Sequence, residues 1–200
     1  YAYDSTGTLL GSGTIAADGT FTIDASSMGN YRGAVLLKAV DSNNVLPNFL
    51  DEVTGASKSL NTELRALGVA TEGQAQFSVS GLDAHLIVHV TPLTELAVRQ
   101  AAVAGNVAPT AQTVQQVNAN VADAFGLPGF DITASPTPTN SIEFVATDGL
   151  TGNERYGLAL AKLSGLDALN SGNMATTLDL LASNMTVSYT HLRAHETRED

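Results

Sequence analysis

"HLIVHVTPLTELAV", residues 85–98, is where the chain changes character. Up to Val90 the pattern is that of a β-protein, and from Thr91 it is that of helices. Leu86, Val88 and Val90 alternate with His85, Ile87 and His89, the period of an extended strand. Thr91 suits a helix N-cap, because its hydroxyl accepts from a free backbone N–H. Pro92 suits the first helical position, where no N–H is needed. Proline also cannot continue the ladder of a central strand. The pair Thr91-Pro92 therefore predicts a seam between two structural halves.

Two imidazoles flank this seam, and they are the first candidates for chemistry. On a strand His85 and His89 are four steps apart, about 13 Å at a strand rise of ~3.3 Å per residue. That separation is too large for one metal ion, whose imidazole ligands each lie about 2 Å away. A helical reading would bring them together, but the alternation and the Thr-Pro start favour the strand. The expectation is two polar residues on a solvated sheet face.

Upstream of the seam the chain is punctuated by turns. "YAYD", "TLLGSGTI" and "TFTID" read as short strands, separated by "STG" and "AADG". Asp18-Gly19 is a hairpin signal, since glycine adopts positive φ without strain. "YRGAVLLKAV", residues 31–40, is a continuous apolar run of the kind found in buried strands. Residues 41–75 are less regular, and "SLNTELRALGV" reads as a short helix or an irregular excursion. "AQFSVSG" and "AHLIVHV" then read as two strands broken at Gly81-Leu82-Asp83.

Downstream, four helices are predicted. Leu93, Leu96, Ala97, Ala101 and Ala104 make the apolar face of the first, with Gly105 ending it. The second opens near Pro109 and aligns Val114, Val117, Val121 and Phe125, with Gly126 beyond its end. "SPTPTN" is a loop. Thr151 to Glu154 has the capping-box form and is followed by Tyr156, Leu160, Leu163 and Leu166. The fourth offers Met174, Leu178, Leu181 and Met185. Apolar residues at helical spacing are read here as core rather than as a binding groove.

Composition bounds the function. The chain has 200 residues, 44% of them hydrophobic and only 14% charged, enough to bury a core. Its formal charge is −11, with 20 acidic against 9 basic residues. This argues against nucleic acid and against anionic membrane surfaces, both of which attract clustered Lys and Arg. There is no cysteine, so disulfides, thiolate catalysis and cysteine-bound zinc are all excluded. No stretch approaches the ~20 apolar residues of a membrane span.

Catalytic patterns do not emerge. "GSG" at 11–13, "SVSGL" and "LSGL" lack the G-x-S-x-G of a nucleophile elbow. "GLTGNERYG" lacks the Lys-Ser/Thr of a phosphate loop, and adjacent Asp51-Glu52 would point to opposite faces of a strand. "HLRAHE", His191 to Glu196, lacks the glutamate that follows the first histidine in zinc helices. Calcium is the most plausible ion, and Asp4, Asp18 and Asp41, each in a polar turn, are its candidate ligands. Asp and Asn are equally ordinary turn residues, and none of these turns has EF-hand spacing.

"YAYDSTGTLLGSGTIAADGTFTID" resembles the opening of bacterial immunoglobulin-like or carboxypeptidase-regulatory-like β-sandwich modules. "YRGAVLLKAVD", "VTPLTELA" and "NANVADAFGLPGFDIT" are similar to segments of exported bacterial proteins, some of them lipoproteins or adhesins. The resemblance implies an α+β protein: an antiparallel β-sandwich over 1–90, then a small helical bundle over 91–186. It also implies export to the cell surface, periplasm or medium, and a non-enzymatic structural or adhesion role. The ligand would be a protein or a glycan, and further domains of a longer chain would flank the segment.

The alternative is a carbohydrate-binding accessory module of a secreted enzyme, which three exposed tyrosines in a row on one sheet face would favour. A third reading is a hydrolase whose catalytic groups converge only in three dimensions. The opening in mid-strand implies an internal fragment. Residues 187–200, "VSYTHLRAHETRED", resemble translated sequencing-adapter read-through at the ends of metagenomic reading frames, and are read as a non-native tail.

Overall fold

A computed structural model describes residues 1–16, 20–24, 31–41, 49–50, 56–58, 62–71, 76–78, 86–103, 105–141, 143–144 and 149–196. The strands among them are β1 Ala2–Tyr3, β2 Leu9–Gly11, β3 Thr22–Asp24, β4 Gly33–Ala39, β5 Phe49–Leu50, β6 Ser57–Lys58, β7 Leu64–Ala70, β8 Gln76–Ser78 and β9 Leu86–Ile87. The helices are α1 Pro92–Gln100, α2 Ala111–Ala124, α3 Gly152–Leu169 and α4 Met174–Glu196. The expected order of strands followed by helices is what the chain displays.

The centre is a small antiparallel sheet in the order β2-β1-β4-β7. Its long pair sets Leu36 opposite Leu67, Ala34 opposite Val69 and Lys38 opposite Arg65. Side chains alternate across a strand, so each face of this pair carries its own apolar set. Ala34, Leu36 and Leu67 join the helices in one buried cluster, with Tyr3, Leu64 and Val69 packed against it. Val35, Leu37, Ala66 and Ala70 join Ala2, Leu10, Ile23 and Val88 in a second. Burial on both faces explains why residues 33–39 are apolar without alternation.

β7 is the main departure from the sequence reading. Leu64–Ala70 lies within the stretch read as a helix or an excursion, and it is a full partner of β4. Leucine and alanine favour helix locally, but burial against a strand on one side and two apolar layers above and below overrides that preference. Gly68 marks the closest approach. A Cβ there would lie 2.8 Å from Val88 Cγ2 and 3.3 Å from Leu86 Cδ2. The chain leading into the seam therefore rests directly on β7.

Beyond this sheet, β3-β8-β9 form a second one, with β3 antiparallel and β9 parallel to β8. β5 and β6 pair with each other. The described residues thus form a mixed α/β structure around a small four-stranded sheet. A closed two-sheet sandwich is not displayed by them, and the helices pack on the sheet, sharing its first core.

α1 is the element around which that core is organised. Leu93 to Val98 are all buried, between β7, α2 and α4. The helix ends at Gln100 rather than continuing to Gly105, and the turn that follows places Ala102 at φ +51°. α2 begins after Thr110 and buries Val114, Val117 and Val121, as the spacing predicts. Gly126, at φ +73°, ends it where the left-handed conformation favours glycine.

In α3 the predicted stripe holds at Tyr156 and Leu163 but not at Leu166, which is exposed. Asp167 occupies the buried position instead, accepting from Thr177 Oγ1 at 3.0 Å. Met174 and Leu178 of α4 are buried, with Leu181 and Met185 packed at the edge of the same cluster. The backbone of α4 continues through 187–196, the stretch read as a non-native tail. No helix among the described residues is long and apolar enough to cross a membrane.

Candidate functional site

The seam joins the helix start to the sheet and to α3 through a set of hydrogen bonds. Thr91 is extended, at φ −136° and ψ 167°, and caps α1 as expected. The cap is reciprocal: Thr94 N–H donates to Thr91 Oγ1 at 3.3 Å, and Thr91 N–H donates to Thr94 Oγ1 at 2.8 Å. Thr94 Oγ1 also lies 3.0 Å from the Arg65 carbonyl of β7. A threonine here does the work of the usual glutamate, and ties the helix start to the sheet.

From this cap a chain of hydrogen bonds crosses the core. Thr91 Oγ1 lies 2.7 Å from the Tyr156 hydroxyl of α3, which donates to the Ile132 carbonyl at 2.7 Å. Since Tyr156 uses its proton on Ile132, the Thr91 hydroxyl is the donor between the two. The order is then Thr94 N–H, Thr91 hydroxyl, Tyr156 hydroxyl, Ile132 carbonyl, with every donor used. Burial raises the Tyr156 pKa, against the hydrogen bond from Thr91, and Asp131 adds to the rise. The phenol stays protonated, as the chain requires. Tyr156→Phe should strand a buried hydroxyl and a buried carbonyl together and cost about 1–3 kcal/mol in urea unfolding.

A second network runs along the helix-side face of the sheet. Arg65 grips Glu95 of α1 with both branches, Nε to Oε2 at 2.9 Å and Nη2 to Oε1 at 2.6 Å. Arg99 Nε donates to the same Oε1 at 2.9 Å, one helical turn on. Arg99 also pairs with Asp179 of α4. In the other direction Glu63 pairs with Arg65 at 3.6 Å and with Lys38 at 3.2 Å, and Lys38 Nζ donates to Asn106 Oδ1 at 3.1 Å. Hydrogen bonding to Glu95 raises the Arg65 pKa, burial opposes it, and the charges of Glu95 and Glu63 add to the rise. Three cations and three anions alternate from Lys38 to Asp179, joining sheet, α1 and α4.

Of the seam histidines, His85 lies outside the described residues. Leu86 and Val88 face inward and Ile87 outward, as the alternation predicts. His89 departs from the expected wet surface. The strand ends at Ile87, and His89 N–H donates to the Thr133 carbonyl at 2.8 Å. Its imidazole is half-buried, and burial holds its pKa below the ordinary 6.5. A base with a folded pKa below its unfolded one makes the unfolded state bind more protons in acid. Its contribution is therefore complete above about pH 6.5 and declines as the pH falls through and below that value. The loss of urea stability between neutral pH and about pH 5 should be smaller in His89→Gln than in the parent chain.

Of the calcium candidates, Asp4 and Asp41 lie among the described residues. Asp4 Oδ1 accepts from Thr6 N–H at 2.8 Å, Thr6 Oγ1 at 2.7 Å and Thr8 N–H at 2.8 Å. Slight burial opposes ionisation, yet these bonds from Thr6 and Thr8 hold its carboxyl below the usual value. This is the geometry of a turn-forming aspartate. Asp41 is exposed at the end of the β4 segment, and Asp18 and the Asp51-Glu52 pair lie outside the described residues. Among the described residues, no three His, Asp or Glu side chains form a group that could hold a metal.

The tyrosines are also dispersed. Tyr156 is in the core, and the Tyr31 hydroxyl donates to the Ala34 carbonyl at 2.7 Å. Tyr1 and Tyr3 share one sheet face and stack, with ring centroids 6.5 Å apart. Sequence reading missed Arg65 and Asp179 as partners of α1, because their pairing is long-range. Glu95 and Arg99, four apart on a predicted helix, carried the only readable signal. Comparison with known proteins finds no family model, curated protein or solved structure that matches this chain.

Proposed function

We propose that this chain is a non-enzymatic structural or adhesion segment of an exported bacterial surface protein. The observation that carries the reading is the hydrogen-bond chain through Thr91 and Tyr156. It commits Thr91, Thr94 and Tyr156 to holding sheet and helices together. The charged row supports it in the same way. Lys38, Arg65 and Arg99 are three of the chain's 9 basic residues, and each is neutralised by an acidic neighbour rather than offered to an anionic partner. In this reading the β part is an immunoglobulin-like sandwich. The second apolar cluster supports that, because it draws side chains from the four-stranded sheet, from β3 and from the segment after β9.

Surface display is the testable core of the proposal. The full reading frame containing this chain should be expressed in a bacterial host and the cells left intact. Antibody raised against the chain should label unpermeabilised cells, and external protease should remove the label. Labelling that requires permeabilisation would overturn the reading.

A further inference from the structure

At one end of the charged row an amine, an amide and a carboxylate meet within hydrogen-bond reach. Lys38 of β4 and Arg65 of β7 are register partners, and Glu63, two residues before Arg65, reaches the same face. Lys38 Nζ lies 3.2 Å from Glu63 Oε2 and 3.1 Å from the side-chain carbonyl oxygen of Asn106, in the segment between α1 and α2. Arg65 holds the other carboxylate oxygen at 3.6 Å, which leaves Oε2 turned to the amine. The segment carrying Asn106 is pinned to the sheet. Ala108 N–H donates to the Asp4 carbonyl at 3.3 Å, and a Cβ on Gly7 would lie 3.5 Å from the Asn106 backbone oxygen. The Lys38 side chain is 18% exposed, so little water competes with the amide for its nitrogen.

We infer that Lys38 and Asn106 join covalently: Nζ forms an amide bond to the Asn106 side-chain carbonyl carbon, and ammonia leaves. The attacked carbon is one bond beyond Oδ1, close to the ~3–3.5 Å at which held groups react as if at very high concentration. Rotation of the amide about its side-chain bond turns the carbonyl face to Nζ. Glu63 moves the protons. Its carboxylate takes one from the Lys38 ammonium, which frees the lone pair for attack on Cγ. Glu63 then gives that proton to Asn106 Nδ2, the carbonyl re-forms as the Cγ–Nδ2 bond breaks, and ammonia departs. The newly bonded nitrogen loses its extra proton through Glu63 to the ammonia in solvent. The balance is one amide bond exchanged for another and one ammonium ion released, with no oxidant or cofactor. The reaction happens once per molecule and loses its product to solvent, so about one event per hour is fast enough. Its product ties the sheet to the chain after α1 across 68 residues, and constrains the unfolded state as a disulfide does in a chain that has cysteines.

The test is intact-protein mass spectrometry of the folded chain after incubation at neutral pH for about a day. The expected mass is about 17 Da below that of the sequence, one ammonia lost, and proteolysis should yield one branched peptide containing both Lys38 and Asn106. Lys38→Arg keeps the positive charge and should restore the full sequence mass, as should Asn106→Ala. Glu63→Gln should slow the loss at least about a hundredfold. The parent chain held unfolded in urea should also keep its full mass. A folded parent chain at full mass reduces the trio to an ordinary ion pair and overturns the inference. So does an ammonia loss that persists in Lys38→Arg, which places it at an asparagine acting alone. The branched peptide is read from the parent chain, so the outcome stands even if a variant fails to fold. The cross-link is independent of surface display, and the two proposals fail separately.

Discussion

Gly157→Ala should destabilise the protein by about 3 kcal/mol, although alanine is the better helix former. At this position α3 presses against the backbone of the preceding loop. A Cβ on Gly157 would lie 2.8 Å from the Thr137 carbonyl carbon, and closer still to its oxygen. The loop cannot easily retreat, because Thr137 N–H donates to the Asn153 carbonyl at 3.0 Å and Asn153 Nδ2 donates to the Ser135 carbonyl at 2.6 Å. The same helix supplies its own control. Gly165 has nothing within 4 Å of where its Cβ would be, so Gly165→Ala should stabilise by roughly 0.5–1 kcal/mol. Urea unfolding of the two variants should therefore move in opposite directions. Shifts of the same sign would mean that α3 does not meet the loop as described.

The second large effect is expected at Glu95. Its side chain is 1% exposed and neutralises two arginines that are themselves mostly buried. Glu95→Gln keeps the shape and removes the charge, leaving two guanidinium groups in a poorly solvated place. Breaking a buried ion pair from one side costs about 3–5 kcal/mol, and the lower end suits arginines that keep some contact with water. Asp179 lies at the other extreme, 74% exposed. Asp179→Ala should cost less than about 1 kcal/mol. Replacing Arg65 and Glu95 together by apolar residues should recover part of the Glu95→Gln loss, since desolvation opposes the pair that it removes. Equal losses in Glu95→Gln and Asp179→Ala would show that burial gives the carboxylate no special weight.

The seam was legible in the sequence because its signals are local. Thr91 and Pro92 specify a helix start through backbone chemistry that needs no distant partner, and Thr151 with Glu154 does the same for α3. The valines of α2 and the run 33–39 report burial through spacing alone. β7 was not legible, because Leu64 to Ala70 has the composition of a helix and becomes a strand only by pairing with β4. The charged row was hidden for a related reason: Arg65, Glu95 and Asp179 are far apart in sequence, and only the packed sheet and helices bring them together. The same holds for Leu166 and Asp167. A register read from spacing places the leucine inside, whereas the hydrogen bond from Thr177 draws in the aspartate. Of the candidate site residues, Asp4 is explained by its own turn.

If the seam fastens the two halves, the helices cannot open while the sheet stays closed. Native-state hydrogen exchange tests this most directly. As denaturant rises, the amides of Leu36 and Leu67 in the sheet and of Leu96 and Ala97 in α1 should converge on one opening free energy. Exchange of the α1 amides at a clearly lower free energy, with Leu36 and Leu67 still protected, would contradict a single shared core.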